Sequence, residues 1–145
     1  MSKRKTDDDK DYQFSTWELV NQGAEARIWR INRSCSPSSI PPEVNKMLSN
    51  SRKSVIAKER FKKTYRLEVL DKKITKQRVN GEVKCIAKCK KCSIDVPDVY
   101  YVDKEKSIIY MEDLLPDEAA SDGRKPTTVR DFLIANDITS DNAVN

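Results

Sequence analysis

Lys58 is the side chain in this sequence whose setting is best suited to chemistry. It follows Val55, Ile56 and Ala57, an apolar run that predicts a short strand, and this strand would carry one cation out of a sheet. A single ammonium group at a defined point on a sheet is the geometry of a binding site. The simpler alternative is a solvated strand-end lysine that protects a sheet edge from aggregation.

The turn Asn21–Glu25 is the second segment with possible chemistry. It joins two predicted strands, Trp17–Val20 and Ala26–Ile31, and contains one glycine, Gly23. A short turn with one glycine is typical of an ordinary hairpin. Its functional interpretation is a loop whose backbone N–H groups cover a phosphate group, although one glycine rather than three supports that only weakly.

Basic residues are concentrated between Arg52 and Lys91. This segment contains 15 lysines and arginines but four acids, so its net charge is +11, whereas the rest of the chain carries −6. Such a localised basic field suits a partner that bears phosphates, such as RNA, or an acidic protein surface, and the alternative is a solvated helix face. Glu82 is the one acid from Lys72 to Lys91, and in the simplest case it pairs with Arg78 one turn back.

Four cysteines, Cys35, Cys85, Cys89 and Cys92, raise the question of a metal site, because the last two have C-x-x-C spacing. Zinc needs four ligands, and the chain contains no histidine. Cys85, Cys89 and Cys92 also fall at i, i+4 and i+7 on one face of a helix, where a free cysteine behaves as a small hydrophobic residue. The pattern therefore favours packing over zinc binding or disulfide formation.

The remaining pattern predicts the elements that position these residues. A surface loop rich in serine, proline and asparagine is predicted over Asn32–Lys53. A basic helix is predicted over about Tyr65–Lys91, with a possible division into two helices at Gly81. Two further strands, Val99–Val102 and Ser107–Met111, are predicted to pair in antiparallel fashion. The sequence thus predicts an α+β fold with a five-stranded antiparallel sheet and a long basic helix.

Both ends of the chain lack a strong apolar pattern. Residues 1–13 are charged and predict a disordered arm, whose KRK run can weakly aid nuclear import. The folded domain is expected over residues 14–115. Residues 116–145 predict an acidic loop, a short helix capped by Thr127 or Thr128, and a polar tail. No apolar run is long enough to cross a bilayer, so we expect a soluble protein of the cytoplasm and nucleus without a membrane partner.

The order of these features resembles the smaller, N-terminal lobe of protein kinases. The V-I-A-K run that ends at Lys58 is similar to the V-A-I-K signature of kinases, whose lysine holds nucleotide phosphates. More specifically, the chain resembles the small atypical kinase/ATPase of the KEOPS complex, also called EKC. The resemblance covers residues 17–133 and rests on the motifs QGAEARIWR (22–30), RFKKTYR (60–66), Leu70-Asp71, Arg78 with Glu82, YMED (110–113) and TVRDFL (128–133).

That resemblance implies a role in the threonylcarbamoyl-adenosine modification of transfer RNA and an ability to phosphorylate serine or threonine. The implied cofactor is ATP, with Mg²⁺ expected only together with the larger lobe. The implied partners are other KEOPS subunits and, through the Arg52–Lys91 segment, transfer RNA. By position, Gly23 and Glu25 match the phosphate loop, Lys58 the phosphate-binding lysine, and Glu82 the helix glutamate that must pair with it.

The same resemblance assigns an adenine pocket. Met111 matches the residue at the back of the pocket, and Glu112 and Leu114 match the hinge segment whose backbone hydrogen-bonds adenine. Val20 and Ile56 would then cover the adenine ring.

Three departures from the family pattern are visible. Leu67-Glu68 replaces a His-Pro pair, the loop 32–53 is longer than the family's turn, and the catalytic His-Gly-Asp and Asp-Phe-Gly motifs are missing. Asp137 and Asn142 have the D-x-x-x-x-N spacing of a catalytic loop, but they follow the TVRDFL segment too closely for that role. We therefore expect an N-terminal lobe whose catalytic C-terminal lobe is absent, a truncated or fragmentary chain with no kinase activity and poor solubility by itself.

Two other interpretations remain open. One is a catalytically silent module that binds a KEOPS subunit, and the other is a basic RNA-binding domain. ATP binding requires Lys58 near Glu82, whereas the silent module tolerates the loss of both. The RNA-binding domain predicts a steep dependence of affinity on salt.

Overall fold

The computed structural model describes residue 14 and residues 16–35, 38, 40–50 and 54–114, all of which lie in the first of two compact units, Met1–Leu114 and Leu115–Asn145. Its strands are β1 (Glu18–Gln22), β2 (Arg27–Ile31), β3 (Val55–Glu59), β4 (Val99–Asp103) and β5 (Ile108–Glu112). Its helices are α1 (Pro42–Asn50) and α2 (Glu68–Lys91).

The five strands form one antiparallel sheet in the order β1-β2-β3-β5-β4. This confirms the predicted α+β class and the five-stranded antiparallel sheet, and each strand lies within about two residues of its predicted limits, as expected for element ends. β3 is the central strand, paired on both sides. The alternative that Lys58 protects a sheet edge is therefore wrong.

One face of the sheet carries the hydrophobic core. Val55 and Ala57 on β3 are buried on this face, and Ala57 lies opposite Tyr110 on β5, which is also fully buried. Trp17 joins this cluster and meets the Tyr110 ring edge-on, with 6.1 Å between centroids. Because side chains alternate along a strand, Lys58 belongs to the opposite face. The core thus holds β3 in place from one side and leaves the other side for polar contacts.

The prediction of a loop over Asn32–Lys53 is wrong in part, because this segment contains α1. Pro42 is the first helical residue, a position where the missing N–H of proline has no intrahelical partner to lose. Val44 and Leu48 lie one turn apart, and both are buried in the core of the sheet. The prolines that suggested a loop therefore mark the start of a helix, which is stabilised by burial of its apolar face.

α2 is one continuous helix rather than two. It begins at Glu68, slightly later than the predicted Tyr65, and it continues through Gly81. A side chain at Gly81 would contact nothing within 4 Å, so the glycine lies on an open surface and causes no break. Asp71 and Val79 are the buried residues among its 24 positions. The helix therefore makes few apolar contacts with the sheet.

Cys85 and Cys89 on α2 and Cys92, which directly follows the helix, lie near the surface rather than in the core. Cys85 and Cys92 are exposed and Cys89 is half-buried, so the predicted packing role is wrong for the exposed pair. Helical periodicity places Cys89 close to the side of α2 that carries Glu82, and this part of the helix buries little apolar surface. Cys35 is buried in the core instead. No group of His, Cys, Asp or Glu among the described residues could hold a metal ion.

Some predicted features lie outside the described residues. They are the arm 1–13, the helix capped by Thr127 or Thr128, and the Asp137 and Asn142 pair, and they stay predictions. Within the part of the chain that the structure describes, no helix has the length and apolar character needed to cross a bilayer.

Two residues of α1 test whether this helix belongs to the core. Leu48 is 3% exposed and Met47 beside it is 39% exposed. Leu48→Ala should lower the free energy of unfolding by about 2 to 4 kcal/mol, because it removes buried methyl groups and leaves a cavity. Met47→Ala is the matched control and should cost less than about 1 kcal/mol. Urea denaturation measures both, and equal effects would mean that α1 is not packed on the sheet.

Candidate functional site

Lys58 and Glu82 meet on the face of the sheet opposite the core. Nζ of Lys58 on β3 lies 2.5 Å from Oε1 of Glu82 on α2. The two side chains are largely buried, with 26% and 19% of their surface exposed. The predicted ion pair between strand and helix is confirmed. The alternative pairing of Glu82 with Arg78 is wrong, because Arg78 binds Glu25 instead.

Arg60 is a second cation on the same carboxylate, and the sequence analysis did not identify it. Its Nη2 lies 2.6 Å from Oε2 of Glu82. Side chains two residues apart in an extended chain lie on the same side, so the spacing of Lys58 and Arg60 could have predicted that both face Glu82. Burial acts to raise the pKa of Glu82, but the hydrogen bonds and charges of Lys58 and Arg60 outweigh it and leave that pKa below its ordinary value. Glu82 is therefore ionised at neutral pH.

Apolar side chains border Lys58 within the sheet. Lys58 lies opposite Ile28 on β2 and Ile109 on β5, while Ile56 lies opposite Met111. Ile28 was not singled out from sequence, because finding it requires the register between β2 and β3. A row of apolar residues beside a cation suits a ligand that has both an apolar ring and an anionic group.

The β1–β2 turn is connected to α2 through Glu25. Its carboxylate binds Arg78 on α2 and lies 3.7 Å from a guanidinium nitrogen of Arg66. Gly23 donates its backbone N–H to the carbonyl of Ala26 at 2.9 Å, which closes the turn as a hairpin. A Cβ at Gly23 would meet only that carbonyl, at 3.9 Å, so local space does not demand a glycine. The assignment of Gly23 and Glu25 to a phosphate loop stays a prediction.

A buried ion pair fixes the chain at the end of β5. Nε of Arg30 donates to the carboxylate of Asp113 at 2.8 Å, and the hydroxyl of Ser54 donates to the same oxygen at 2.5 Å. The Arg30 and Asp113 side chains are only 8% and 4% exposed. Glu112 and Leu114, the predicted hinge residues, flank this anchor. Sequence reasoning missed it because the partners lie 83 residues apart.

The other residues predicted to contact adenine are spread across the sheet. Val20 lies at an irregularity in the pairing of β1 with β2, and Ile56 and Met111 are neighbours on β3 and β5. Leu114 is 65% exposed. A separate surface pocket is lined by residues between Asn32 and Ser49 and includes none of these residues. Their assignment to an adenine site stays a prediction.

Comparison with known proteins finds similarity to subunits of one complex, although no family model matches the chain. The EKC/KEOPS complex subunit BUD32 of Cryptococcus neoformans var. neoformans serotype D (strain B-3501A) is 35% identical over 101 residues, which cover 68% of this chain and 35% of that protein. The EKC/KEOPS complex subunit bud32 of Dictyostelium discoideum is 51% identical over 57 residues, which cover 39% of this chain and 23% of that protein.

A third relative is named for the biosynthesis of a modified nucleoside of transfer RNA. The probable bifunctional tRNA threonylcarbamoyladenosine biosynthesis protein of Methanosphaera stadtmanae is 37% identical over 60 residues, which cover 41% of this chain and 11% of that protein. The chain spans about a third or less of the length of these relatives. The resemblance to a KEOPS subunit inferred from the motifs is confirmed.

The pH dependence of stability tests the charge state of Glu82. Its pKa is lowered in the folded chain, so its contribution to the free energy of unfolding is complete above the unfolded pKa and is lost as the pH falls through the folded pKa. At pH 7, Glu82→Gln should lower the free energy of unfolding by about 1 to 3 kcal/mol, because two cations lose their counter-charge. In urea titrations, this difference from wild type should shrink as the pH falls below 4.5, the ordinary pKa of a glutamate, and through the lowered pKa of the folded chain.

Glu105→Gln is the control for that measurement, since Glu105 lies in an exposed turn and makes no ion pair within the described residues. At pH 7 its effect on the free energy of unfolding should stay below about 0.5 kcal/mol. A Glu82→Gln difference that stayed constant from neutral to acid pH would contradict the ionised pair.

Proposed function

Because this chain is a relative of the Bud32 subunits of the EKC/KEOPS complex, we propose that its described residues form the kinase-like N-terminal lobe of such a subunit and bind ATP. The observation that carries this proposal is the 2.5 Å contact between Lys58 and Glu82. In protein kinases a strand lysine and a helix glutamate must be paired before the nucleotide phosphates are held productively. Here β3 and α2 supply the two partners.

In the proposed site, cationic residues bind the phosphate groups of ATP and apolar residues contact its adenine ring. Lys58 binds the phosphate groups, and the positive charge that Arg60 adds beside it favours an anionic ligand. Ile56 and Ile28 lie next to Lys58 in the sheet and cover the adenine ring together with Val20.

The end of β5 forms the second wall of the proposed site. Met111 closes the back of the adenine pocket, and the backbone of Glu112 and Leu114 hydrogen-bonds the adenine edge. The buried Arg30–Asp113 pair supports this assignment, because it holds the backbone at that position.

The activity that we propose for these 145 residues is nucleotide binding rather than phosphoryl transfer. Transfer needs an aspartate that orients the acceptor and groups that hold Mg²⁺. In the family these come from His-Gly-Asp and Asp-Phe-Gly motifs, which do not occur in this sequence. We accordingly propose that Mg²⁺ binds with groups from a larger lobe. The wider role is support of threonylcarbamoyl-adenosine modification of transfer RNA, in the cytoplasm and nucleus, with other KEOPS subunits as partners.

A second candidate function, RNA binding, is favoured by a stripe of lysines on α2. Five exposed lysines recur at helical spacing on the side of α2 opposite Glu82, and none makes an ion pair within the described residues; they are Lys73, Lys76, Lys84, Lys88 and Lys91. Four other lysines of the basic segment each bind a carboxylate, namely Lys58, Lys62, Lys72 and Lys90. The stripe is therefore a part of that segment that is free to contact phosphates.

A third candidate, a silent module that binds a partner subunit, is favoured by apolar residues at the start of α2. Tyr65, Leu67 and Val69 are 73%, 80% and 83% exposed, and Leu70 beside them is 49% exposed. Apolar side chains clustered on a surface commonly mark a protein interface. This candidate does not need Lys58, so loss of Lys58 separates it from ATP binding.

Calorimetric titration of the purified chain with ATP tests the leading proposal. Lys58→Ala should weaken ATP affinity by about tenfold or more, because it removes a charge-assisted contact to phosphate. The affinity for adenosine, which has no phosphate, should change little. Lys104→Ala removes a lysine from an exposed turn and should leave both affinities unchanged. Equal ATP affinity in wild type and Lys58→Ala would reject Lys58 as the phosphate ligand.

Transfer RNA binding measured over a range of salt concentrations tests the second candidate. With about five phosphates neutralised, log affinity should fall against log salt with a slope of roughly −4 to −5 on double-stranded regions. Replacing Lys76, Lys84 and Lys88 together by glutamine should reduce that slope by about 3.

The matched control replaces three lysines outside the Arg52–Lys91 segment, Lys46, Lys104 and Lys125, by glutamine. It removes the same net charge but leaves the stripe on α2 intact. A slope that falls equally in both triple variants would indicate a diffuse charge effect, and a wild-type affinity that does not depend on salt would exclude RNA binding by the stripe.

A further inference from the structure

Three cations that follow β3 in the chain hold the β1–β2 turn. Nζ of Lys63 donates to the backbone carbonyl of Ala24. Oε2 of Glu25 accepts a hydrogen bond from Arg78, and its Oε1 lies 3.7 Å from Nη2 of Arg66. Both carboxylate oxygens of Glu25 therefore face a guanidinium group. We call Lys63, Arg66 and Arg78 the turn clamp.

The turn clamp belongs to a larger charge network that includes Asp71. One oxygen of this buried carboxylate accepts the backbone N–H of Lys63 at 3.2 Å, and the other lies 3.5 Å from Nη1 of Arg66. Glu25 and Arg78 are 44% and 40% exposed. Because an exposed ion pair contributes little to stability, we expect these contacts to set the position of the turn rather than to stabilise the whole fold.

The sheet register places this turn beside the candidate site. Ile28 lies opposite Lys58, and Glu25 precedes Ile28 by three residues, which is about 10 Å along an extended chain. On α2, Arg78 lies one helical turn before Glu82, which pairs with Lys58. One side of α2 therefore contacts the turn through Arg78 and the central strand through Glu82.

We propose that Glu25 is a positioning residue whose two guanidinium contacts hold the β1–β2 turn over the phosphate groups that Lys58 binds. The Lys58–Glu82 pair stays closed in this arrangement, and Arg66 and Arg78 neutralise a carboxylate that would otherwise repel phosphate. The contact between the turn and α2 needs no ligand. The phosphate part rests on the proposed ATP binding and on the assignment of this turn to a phosphate loop.

Residue-resolved amide exchange in the full 145-residue chain tests the contact between turn and helix. The reporter is the N–H of Gly23, which donates to the carbonyl of Ala26 within the turn. Glu25→Gln should raise its exchange by about three- to fivefold, because the turn opens more often without its ion pairs. Arg78→Met should raise it less, since Arg66 remains. The double variant should match Glu25→Gln alone, because both substitutions break the same contact.

Glu68→Gln is the matched control for these variants. Glu68 is also an exposed acid that pairs with two cations, Lys62 and Lys72, and neither belongs to the turn clamp. This variant should leave exchange at Gly23 unchanged. Arg78→Lys keeps the positive charge and should protect Gly23 as the wild type does. The urea midpoint of Glu25→Gln should stay at the wild-type value, so that faster exchange reports on the turn and not on loss of the fold.

Each outcome of that comparison decides the matter. Wild-type exchange at Gly23 in Glu25→Gln would show that the turn clamp does not hold the turn. A double variant whose effect is the product of the single effects would contradict the inference, because Glu25 and Arg78 would then act independently. Fast exchange in Arg78→Lys would exclude charge as the cause. A urea midpoint that fell in step with the exchange would assign Glu25 to the stability of the fold and would contradict a positioning role.

Calorimetric titration with ATP tests the phosphate part. Glu25→Gln removes a negative charge beside the proposed phosphate site, so charge alone predicts tighter ATP binding. The positioning role predicts the opposite, an ATP affinity about fivefold weaker with an unchanged affinity for adenosine. Tighter or unchanged ATP binding would overturn that role. Absence of ATP binding to wild type would instead overturn the proposed function and the phosphate part, and exchange at Gly23 would still decide whether Glu25 holds the turn.

Discussion

The shared carboxylate of Glu82 is the interaction on which the candidate site depends. Lys58 and Arg60 come from β3 and the residue that follows it, so one acid on α2 joins the helix to the central strand through both of its oxygens. Because the helix buries little apolar surface, the position of the site is set by electrostatics and hydrogen bonds more than by packing. The pKa of Glu82 stays low enough for this charge to persist at neutral pH.

The two faces of the sheet have separate roles. The face with Val55, Ala57 and Tyr110 is covered by α1 and by Trp17, and it forms the core. The other face carries Lys58 and receives α2 through Glu82. Since β3 contributes alternate residues to both faces, the core rigidifies the strand that presents the lysine. Because the core occupies one face of the sheet, the opposite face can carry charged side chains without disturbing the packing.

A few carboxylates hold the helix and turns in place around the basic segment Arg52–Lys91. Asp71 is buried and accepts hydrogen bonds near the start of α2, and Glu25 connects the β1–β2 turn to Arg66 and Arg78. These carboxylates hold the helix and turn in place and neutralise the cations closest to the sheet. Among the residues that the structure describes, the lysines on the outer side of α2 have no carboxylate partner, and they make the surface of this region basic.

The sequence by itself determined the five strands and the long helix, because alternation and helical periodicity are local signals. The pairing of Lys58 with Glu82 came from the resemblance to kinases, since spacing alone suggested Arg78 as the partner of Glu82. The sequence also determined the relationship to KEOPS subunits, through motifs in a fixed order. Only the tertiary structure decided that Arg60 shares Glu82, that α1 forms from a proline-rich segment, and that the cysteines of α2 lie near the surface. These features depend on which face of each element meets the sheet, and that is set by contacts between residues far apart in the chain.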